Sequence, residues 1–477
     1  MKKRLLITIL LFSLFAAASA YVIILAQGYR LDNGGKVITT SILRINSIPQ
    51  DVKVYINGQP TQKVDNRVEG LTPGPAKVKL EREGYKSWEK TIILKGGIVE
   101  DLNAQLYPER LDFEKVTSSG IDKFYISNNS DYLFYTLLKS ELTTNIGIWR
   151  IRLTRNILDF NDNEPEIIYS FDSDLIKKLS DYELTISPDS SKAFLNLPSQ
   201  EELYLIDFNS KTLTNINSVV GFYPKKVSWF EGSSSAIFST NQLITSFDIN
   251  SKQVNLVYFS ALGEPIYGVG NSSVYYYRKD LAQFFQYQNR STSLLKVNNL
   301  EFQTAIPTQI HIAKDSDKIL LVETQSNYFF LDLDKEFTYV SDVKGKLLKL
   351  SPNGKSYIER IDDLTLESSY FKDNLDKKTY SFAFNTIKVD QELEFLNYTD
   401  NSRNILFVLN NENREVWLSD FDGLNLFPVI QNELISSSKV LVSDNAVDIF
   451  VLLEDSSSSI DNSKTNNIYK FKLEVSN

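Results

Sequence analysis

Beyond the N-terminal segment, apolar and polar positions alternate with the period of two that half-buried strands require. Leu43 and Ile45 point one way with Arg44 and Asn46 opposite, and Val52, Val54 and Ile56 alternate with Lys53 and Tyr55. Asn57-Gly58 follows at once, a pair suited to a tight hairpin because both central residues must accept positive φ. Val78 and Leu80, then Glu83-Gly84 as a turn, then the run from Trp88 to Leu94 repeat the logic. This pattern predicts a small all-β domain over residues 41–108.

From residue 110 onward a unit recurs in which an apolar strand meets a polar turn, an aromatic-rich strand follows, and a third strand comes after a loop. The units start near Ile126, Ile186, Trp229, Val269, Ile312, Leu350, Leu396 and Val442. Strands such as Leu203-Tyr-Leu-Ile-Asp-Phe208, Tyr328-Phe-Phe-Leu-Asp-Leu333 and Val416-Trp-Leu-Ser-Asp-Phe421 follow them. The period of about 35 to 50 residues holds one four-stranded blade, and a lone blade cannot bury both faces, so blades must pack around a common axis. The expected fold over residues 109–477 is a β-propeller of eight blades, alternatively seven, with an array of two-sheet sandwiches as the competing architecture. The segment Leu111-Asp-Phe-Glu-Lys-Val116 also alternates, and it is expected to supply the fourth strand that the final repeat lacks.

Ahead of the strands, Lys2-Lys3-Arg4 precedes an uncharged run from Leu5 to Ala26. Such a run matches a hydrocarbon core of about 30 Å, and the basic end belongs in the cytoplasm. Residues 1–30 are therefore expected to form one membrane-spanning helix, N-terminus inside, with all that follows extracytoplasmic. Ala18-Ser19-Ala20 has the small-x-small form of a signal-peptide cleavage site, but Tyr21-Val22-Ile23-Ile24-Leu25 carries the apolar run past it.

The order Ile48-Pro49, Val54-Tyr55-Ile56-Asn57-Gly58, Gly70-Leu71-Thr72-Pro73, Val78-Lys79-Leu80 and Gly84-Tyr85 resembles the PEGA domain. That resemblance implies a small β-sandwich in an envelope or cell-surface setting and no catalysis. At the eponymous tetrapeptide the chain reads Pro49-Gln50-Asp51-Val52 instead. Ser187-Pro188-Asp189 and Ser351-Pro352-Asn353-Gly354 resemble the Ser-Pro-Asp-Gly turn of TolB-like and WD-type propeller repeats, where Pro presets the first corner and Asp or Asn tolerates the second.

Composition narrows the chemistry. With 25 Tyr and 29 Phe against 1 Met, strands are favoured over helices. The net charge is -9, more negative still without the three N-terminal cations, so nucleic acid is not an expected partner. Absence of Cys removes disulfides, thiolate metal sites and cysteine nucleophiles together. The single histidine, His311, cannot build a multi-histidine metal site and is expected to be structural or solvent-facing. Asp159-Phe-Asn161-Asp-Asn163 has oxygens at alternate positions like the start of a calcium loop, but Glu164 stands where Gly is needed and Ser170 where the closing Glu belongs. The polar stretch from Asp455 to Asn467 reads as a long hairpin loop.

No catalytic, cofactor-binding or metal residue is therefore expected. The sequence predicts a non-catalytic, membrane-anchored bacterial surface protein whose propeller binds a protein or glycan of the cell envelope, the small domain serving as spacer or envelope contact. The alternative is a glycan-acting envelope enzyme that uses propeller carboxylates, and three or more acidic side chains converging in the funnel would mark it.

Overall fold

The computed structural model describes the chain apart from residues 1–10, 20, 23–28, 32–36, 118–119, 128–129, 139–145, 154–163, 375–378, 390–391, 400–401, 411–413, 432–434, 444–447, 456–464 and 474–477. The chain divides into two compact units, Met1–Leu111 with Leu473–Asn477, and Asp112–Lys472. Much of the apolar run from Leu5 to Ala26 lies outside the described residues. Within it, 11–19 and 21–22 are helical. Among the described residues no helix is long and apolar enough to cross a membrane.

In the small unit the strands from Ser41 to Gln105 form a two-sheet sandwich, preceded by the antiparallel pair Tyr29–Leu31 and Val37–Thr39. Ser41–Ile48 runs antiparallel to Arg67–Leu71 and parallel to Val99–Gln105. The facing sheet has the order Gln59–Thr61, Lys53–Ile56, Gly74–Glu81, Trp88–Leu94. Leu43, Ile45, Val54, Val78, Leu80 and Trp88 share one core, while Arg44 and Asn46 face solvent, as the alternation predicts. Asn57 and Gly58 both take positive φ, 51° and 79°, which closes the hairpin between Lys53–Ile56 and Gln59–Thr61.

In the large unit, the four strands from Lys123–Ile126 to Glu166–Ser170 form an antiparallel meander, and six further meanders follow in chain order, ending with Phe427–Ile430. The last sheet has the order Phe113–Lys115, Thr465–Lys472, Asp448–Asp455, Ile435–Val442, so its outer strand comes from the start of the unit and its other strands from the end. The expected closing segment is thus in place. Phe113 pairs with Phe471 and Lys115 with Tyr469 in antiparallel register, and the Val116 N–H donates to the Ile468 carbonyl at 2.8 Å. Among the described residues this gives eight four-stranded sheets in the unit.

Successive sheets pack face to face. Phe134 and Ile148 of the first meet Leu184 and Leu195 of the second, and Phe194 of the second meets Phe238 and Phe247 of the third. The same holds from third to fourth, fourth to fifth, fifth to sixth and sixth to seventh. The innermost strands of the seventh and eighth, Glu392–Tyr398 and Ile435–Val442, lie side by side, and Phe450 and Ile468 of the eighth pack on Phe124 and Leu133 of the first. The succession returns to its start, which makes the unit a β-propeller.

Because the middle strands are covered on both faces, their sequences lose alternation. Ser235–Ser239 is buried at every position, and Lys192–Leu197 at every position after Lys192. Aromatic rings fill the wedges between blades: Phe330 stacks on Phe371 across the fifth and sixth at 4.0 Å between centroids, and Phe194 meets Trp229 across the second and third at 4.6 Å.

Candidate functional site

At the end of a blade's innermost strand, in five cases among the described residues, a hydroxyl residue bonds back to the start of the second strand. Ser127, Ser187, Ser351, Thr399 and Ser443 accept, through their side-chain oxygens, the backbone N–H of the residue five positions on, at 2.9 to 3.1 Å. Their own N–H groups donate to the carbonyl of that same residue. All five are buried, so the hydroxyl satisfies an amide that water cannot reach. The Pro-containing turns are two cases of this device, and Ser187 and Ser351 are its working residues there. The signal in the sequence was the hydroxyl directly after an apolar strand end, which recurs where Pro does not.

Neighbouring turns also hold one another. The Asp189 N–H donates to Ser233 Oγ at 3.0 Å, and the Glu231 N–H to the Asn271 carbonyl at 2.6 Å. The N–H groups of Asn271 and Ser272 donate to the Asp317 carboxylate at 2.6 Å, the Asp315 N–H to the Pro352 carbonyl at 2.9 Å, and the Asn353 N–H to Ser402 Oγ at 2.9 Å. From the second blade to the seventh the turns thus form a hydrogen-bonded rim. Burial disfavours the charge on Asp189, but hydrogen bonds from Ser187, Ser191 and Ser233 outweigh it and bring the carboxyl down to about 2.

At this end of the ring lies a cavity of about 150 Å³ whose lining includes Ile126, Ser127, Lys314, Asn397, Tyr398 and Val442. These residues come from the ends of innermost strands or the turns after them, in the first, fifth, seventh and eighth blades. Blades one and five stand opposite in a ring of eight, so a cavity that both of them line sits on the axis. Its lining is mixed: one ammonium, a carboxamide, the hydroxyl of Ser127, the phenol of Tyr398 and aliphatic walls, with no carboxylate among the described lining residues. Tyr398 is buried, and burial pushes its phenol well above the ordinary range, so it stays neutral there.

The other sequence candidates fall elsewhere. His311 lies in the innermost strand Pro307–Ala313 of the fifth blade, its Nε2 3.6 Å from Glu323 on the adjacent strand, which is a pairing within the sheet. Among the described residues no group of three or more His, Asp or Glu side chains is placed to hold a metal ion. Residues 159–163 of the calcium-like stretch and 456–464 of the polar loop lie outside the described residues. Trp88 and Tyr85 belong to the small core, where Trp88 is 2% exposed.

The small sandwich can now be assigned. Residues 40–110 match the PEGA domain. The PEGA domain here keeps both sheets although its tetrapeptide is Pro49-Gln50-Asp51-Val52. No curated protein sequence matches the chain. Solved structures similar to it include the WD40 domain of SCAP from fission yeast, at 12% identity and TM-score 0.46, covering 76% of this chain and 98% of that one. Porphyromonas gingivalis dipeptidyl peptidase 4 is similar at 11% identity and TM-score 0.46, over 74% of this chain and 60% of its own. An oligogalacturonate lyase in complex with manganese is similar at 8% identity and TM-score 0.40, over 76% and 98%. The propeller assignment rests on the chain's own sheets and seams.

Proposed function

We propose that this is a non-catalytic binding protein of the bacterial cell envelope, in which the turn end of the propeller axis receives a protein or glycan ligand. The observation that carries this reading is the lining of the axial cavity: Lys314 and Asn397 bring a cation and a carboxamide beside aliphatic surface. The glycan-cleaving alternative needs carboxylates converging on the axis, and the described lining supplies none. The rim of linked turns includes the turn that carries Lys314, whose carbonyl accepts from Asn271 Nδ2 at 2.8 Å, which suits recognition by a preformed surface. The uncharged run from Leu5 to Ala26, behind Lys2-Lys3-Arg4, serves as the anchor that leaves both β units extracytoplasmic, with the PEGA domain as spacer or envelope contact.

A photo-crosslinking residue at Asn397 tests the reading in intact cells. Adducts with an envelope protein or glycan are expected from that position and not from Leu256, which is 63% exposed on the outer strand of the third blade. Equal adducts at both positions, or none at Asn397, would overturn it. Shortening of a captured glycan would move the assignment to the cleaving enzyme. For the anchor, N-terminal sequencing of membrane-fraction protein should find the segment intact, and Tyr21 as first residue would refute retention.

A further inference from the structure

The two ends of the ring differ in chemistry. In the third to fifth blades the innermost strand runs toward the rim of linked turns, so the links between blades and the turns from second to third strand lie at the opposite end. Residues 260–265 and 295–306 are the links into the fourth and fifth blades, and residues 279–282 are the second-to-third turn of the fourth. In or beside these segments Phe259, Leu262, Leu281, Leu294, Leu300 and Ile306 all stand exposed. Leu300, at 78%, is the most exposed large apolar side chain among the described residues, and Ile306 is 71% exposed. The local structure holds them out. Phe302 seats the short helix Leu300–Gln303 by stacking on Phe284 at 4.4 Å, which leaves Leu300 and Ile306 projecting. Lys279 Nζ donates to the carbonyls of Leu262 and Glu264 at 3.3 and 2.9 Å, joining the turn that carries Leu281 to the link that carries Leu262. Leu294 pairs with Phe285, and the next N–H, of Leu295, donates to the Phe284 carbonyl at 2.9 Å, so the apolar tips belong to one continuous stretch of surface.

We propose that this end of the propeller rests on an anionic lipid surface, with Leu262, Leu281, Leu300 and Ile306 entering the boundary between headgroups and acyl chains. Charge supports the choice. In and beside the links into the third to fifth blades and the turn at 279–282, Lys225, Lys226, Arg278, Lys279 and Lys296 face Glu264, Asp280 and Glu301, five cations against three acids in a chain whose net charge is -9. Lys226 engages Glu264 at 3.3 Å and Arg278 engages Asp280 at 2.6 Å, whereas Lys225 and Lys296 are exposed and form no ion pair among the described residues. Attraction to headgroups acts within a Debye length of about 8 Å, so the local excess of cations counts for more than the charge of the whole chain. Composition separates lipid from protein as the occupant. Protein interfaces are enriched in Tyr, Trp and Arg and depleted in Lys, with Leu under-represented among their strongest contacts. Interfacial lipid contact uses Leu and Phe beside Lys, which is the set found here. The apolar side chains also project from separate tips, which a fluid surface accepts without a matching pocket for each. Such contact leaves the rim and the axial cavity, at the other end of the ring, open to a ligand.

The test uses the full-length protein reconstituted into vesicles of phosphatidylglycerol and phosphatidylcholine that carry a nitroxide on the acyl chain. The native chain has no cysteine, so one introduced Cys takes an environment-sensitive fluorophore at a chosen place. A label on Leu300→Cys should be blue-shifted and quenched. A label on Leu424→Cys, another exposed leucine but in the turn between Glu415–Asp420 and Phe427–Ile430 at the rim end, should stay unquenched. A label on Leu14→Cys reads the apolar N-terminal run separately, so failure of the anchor and failure of the propeller contact are told apart. Leu281→Asp combined with Ile306→Asp, both at exposed positions, should remove most of the quenching at Leu300. Lys225→Glu combined with Lys296→Glu should lower the docking equilibrium by about tenfold or more. An unquenched label at Leu300, or equal quenching at Leu300 and Leu424, would overturn the proposal. Near-complete disulfide dimers through unlabelled Leu300→Cys on mild oxidation would give this face to a second copy and overturn it as well.

Discussion

In the PEGA domain a strand such as Ser41–Ile48 buries one face, and its sequence alternates; in the propeller middle strands such as Ser235–Ser239 bury both faces, and buried residues follow one another without alternation. Leu43 and Ile45 are fully buried between exposed Arg44 and Asn46, whereas Ala236, Ile237 and Phe238 are buried in succession. The energetic organisation differs in the same way. The small domain depends on one core around Trp88, so a single large deletion endangers all of it. The propeller spreads its apolar burial over separate clusters between blades, and its integrity depends on joining the last blade to the first.

This contrast can be broken most severely at the closing strand. Deleting residues 112–116 removes the outer strand of the eighth blade and exposes the edge of Thr465–Lys472. The propeller should then lose its single cooperative transition in calorimetry while the PEGA domain keeps its own; an unaltered propeller transition would refute closure as the source of cooperativity. Next in size, Trp88→Ala should destabilise the PEGA domain by about 3 to 5 kcal/mol and leave the propeller midpoint in place. A neutral effect in denaturant unfolding would remove Trp88 from the core.

Smaller changes sharpen the account of the turns. Ser187→Ala leaves the Lys192 N–H without its hydroxyl acceptor and should cost about 1 to 2 kcal/mol, with Ser187→Thr restoring most of it. Thr at this place is already used in the seventh blade, as Thr399. Equal stability of the Ala and Thr variants would show that the hydroxyl contributes nothing.

The smallest effects concern pH. Burial holds the Glu359 carboxyl above the ordinary range, against the N–H groups of Gly345 and Lys344 that favour its charge. A raised folded-state value means stability that is full below the unfolded value of about 4.3 and declines as pH rises through the folded one. Glu359→Gln keeps an acceptor for both amides and should flatten that decline between pH 4 and 7 in denaturation curves. Asp189 acts in the opposite sense: with its carboxyl down at about 2, it contributes stability above pH 4 that is lost as pH falls toward 2. Asp189→Asn should remove that acid sensitivity.

The sequence made the strands, the small core and the closing segment legible because each is a local pattern. Alternation in Leu43 to Ile45 and the Asn57-Gly58 pair predict face and turn from neighbours in the chain. Phe113 and Glu114 are legible as an unpartnered strand because the last repeat is one strand short. The axial cavity is different. Ile126, Lys314 and Asn397 meet only because blades far apart in sequence point their inner strands at one axis, and no local period encodes that meeting. The hydroxyl turns were partly legible: Ser187 and Ser351 drew notice through their Pro neighbours, while Ser127, Thr399 and Ser443 do the same work without one.

The claim that the ends of the chain close the ring is open to one direct measurement. The native chain has no cysteine, so the pair Lys115→Cys and Tyr469→Cys, which are cross-strand partners, gives a single possible disulfide. Under mild oxidation the closed ring predicts near-complete intramolecular cross-linking in the native protein, seen as a faster-migrating band without reductant, and a propeller stabilised by about 2 to 4 kcal/mol. Free thiols persisting in the folded monomer, or cross-links forming only between molecules, would contradict it.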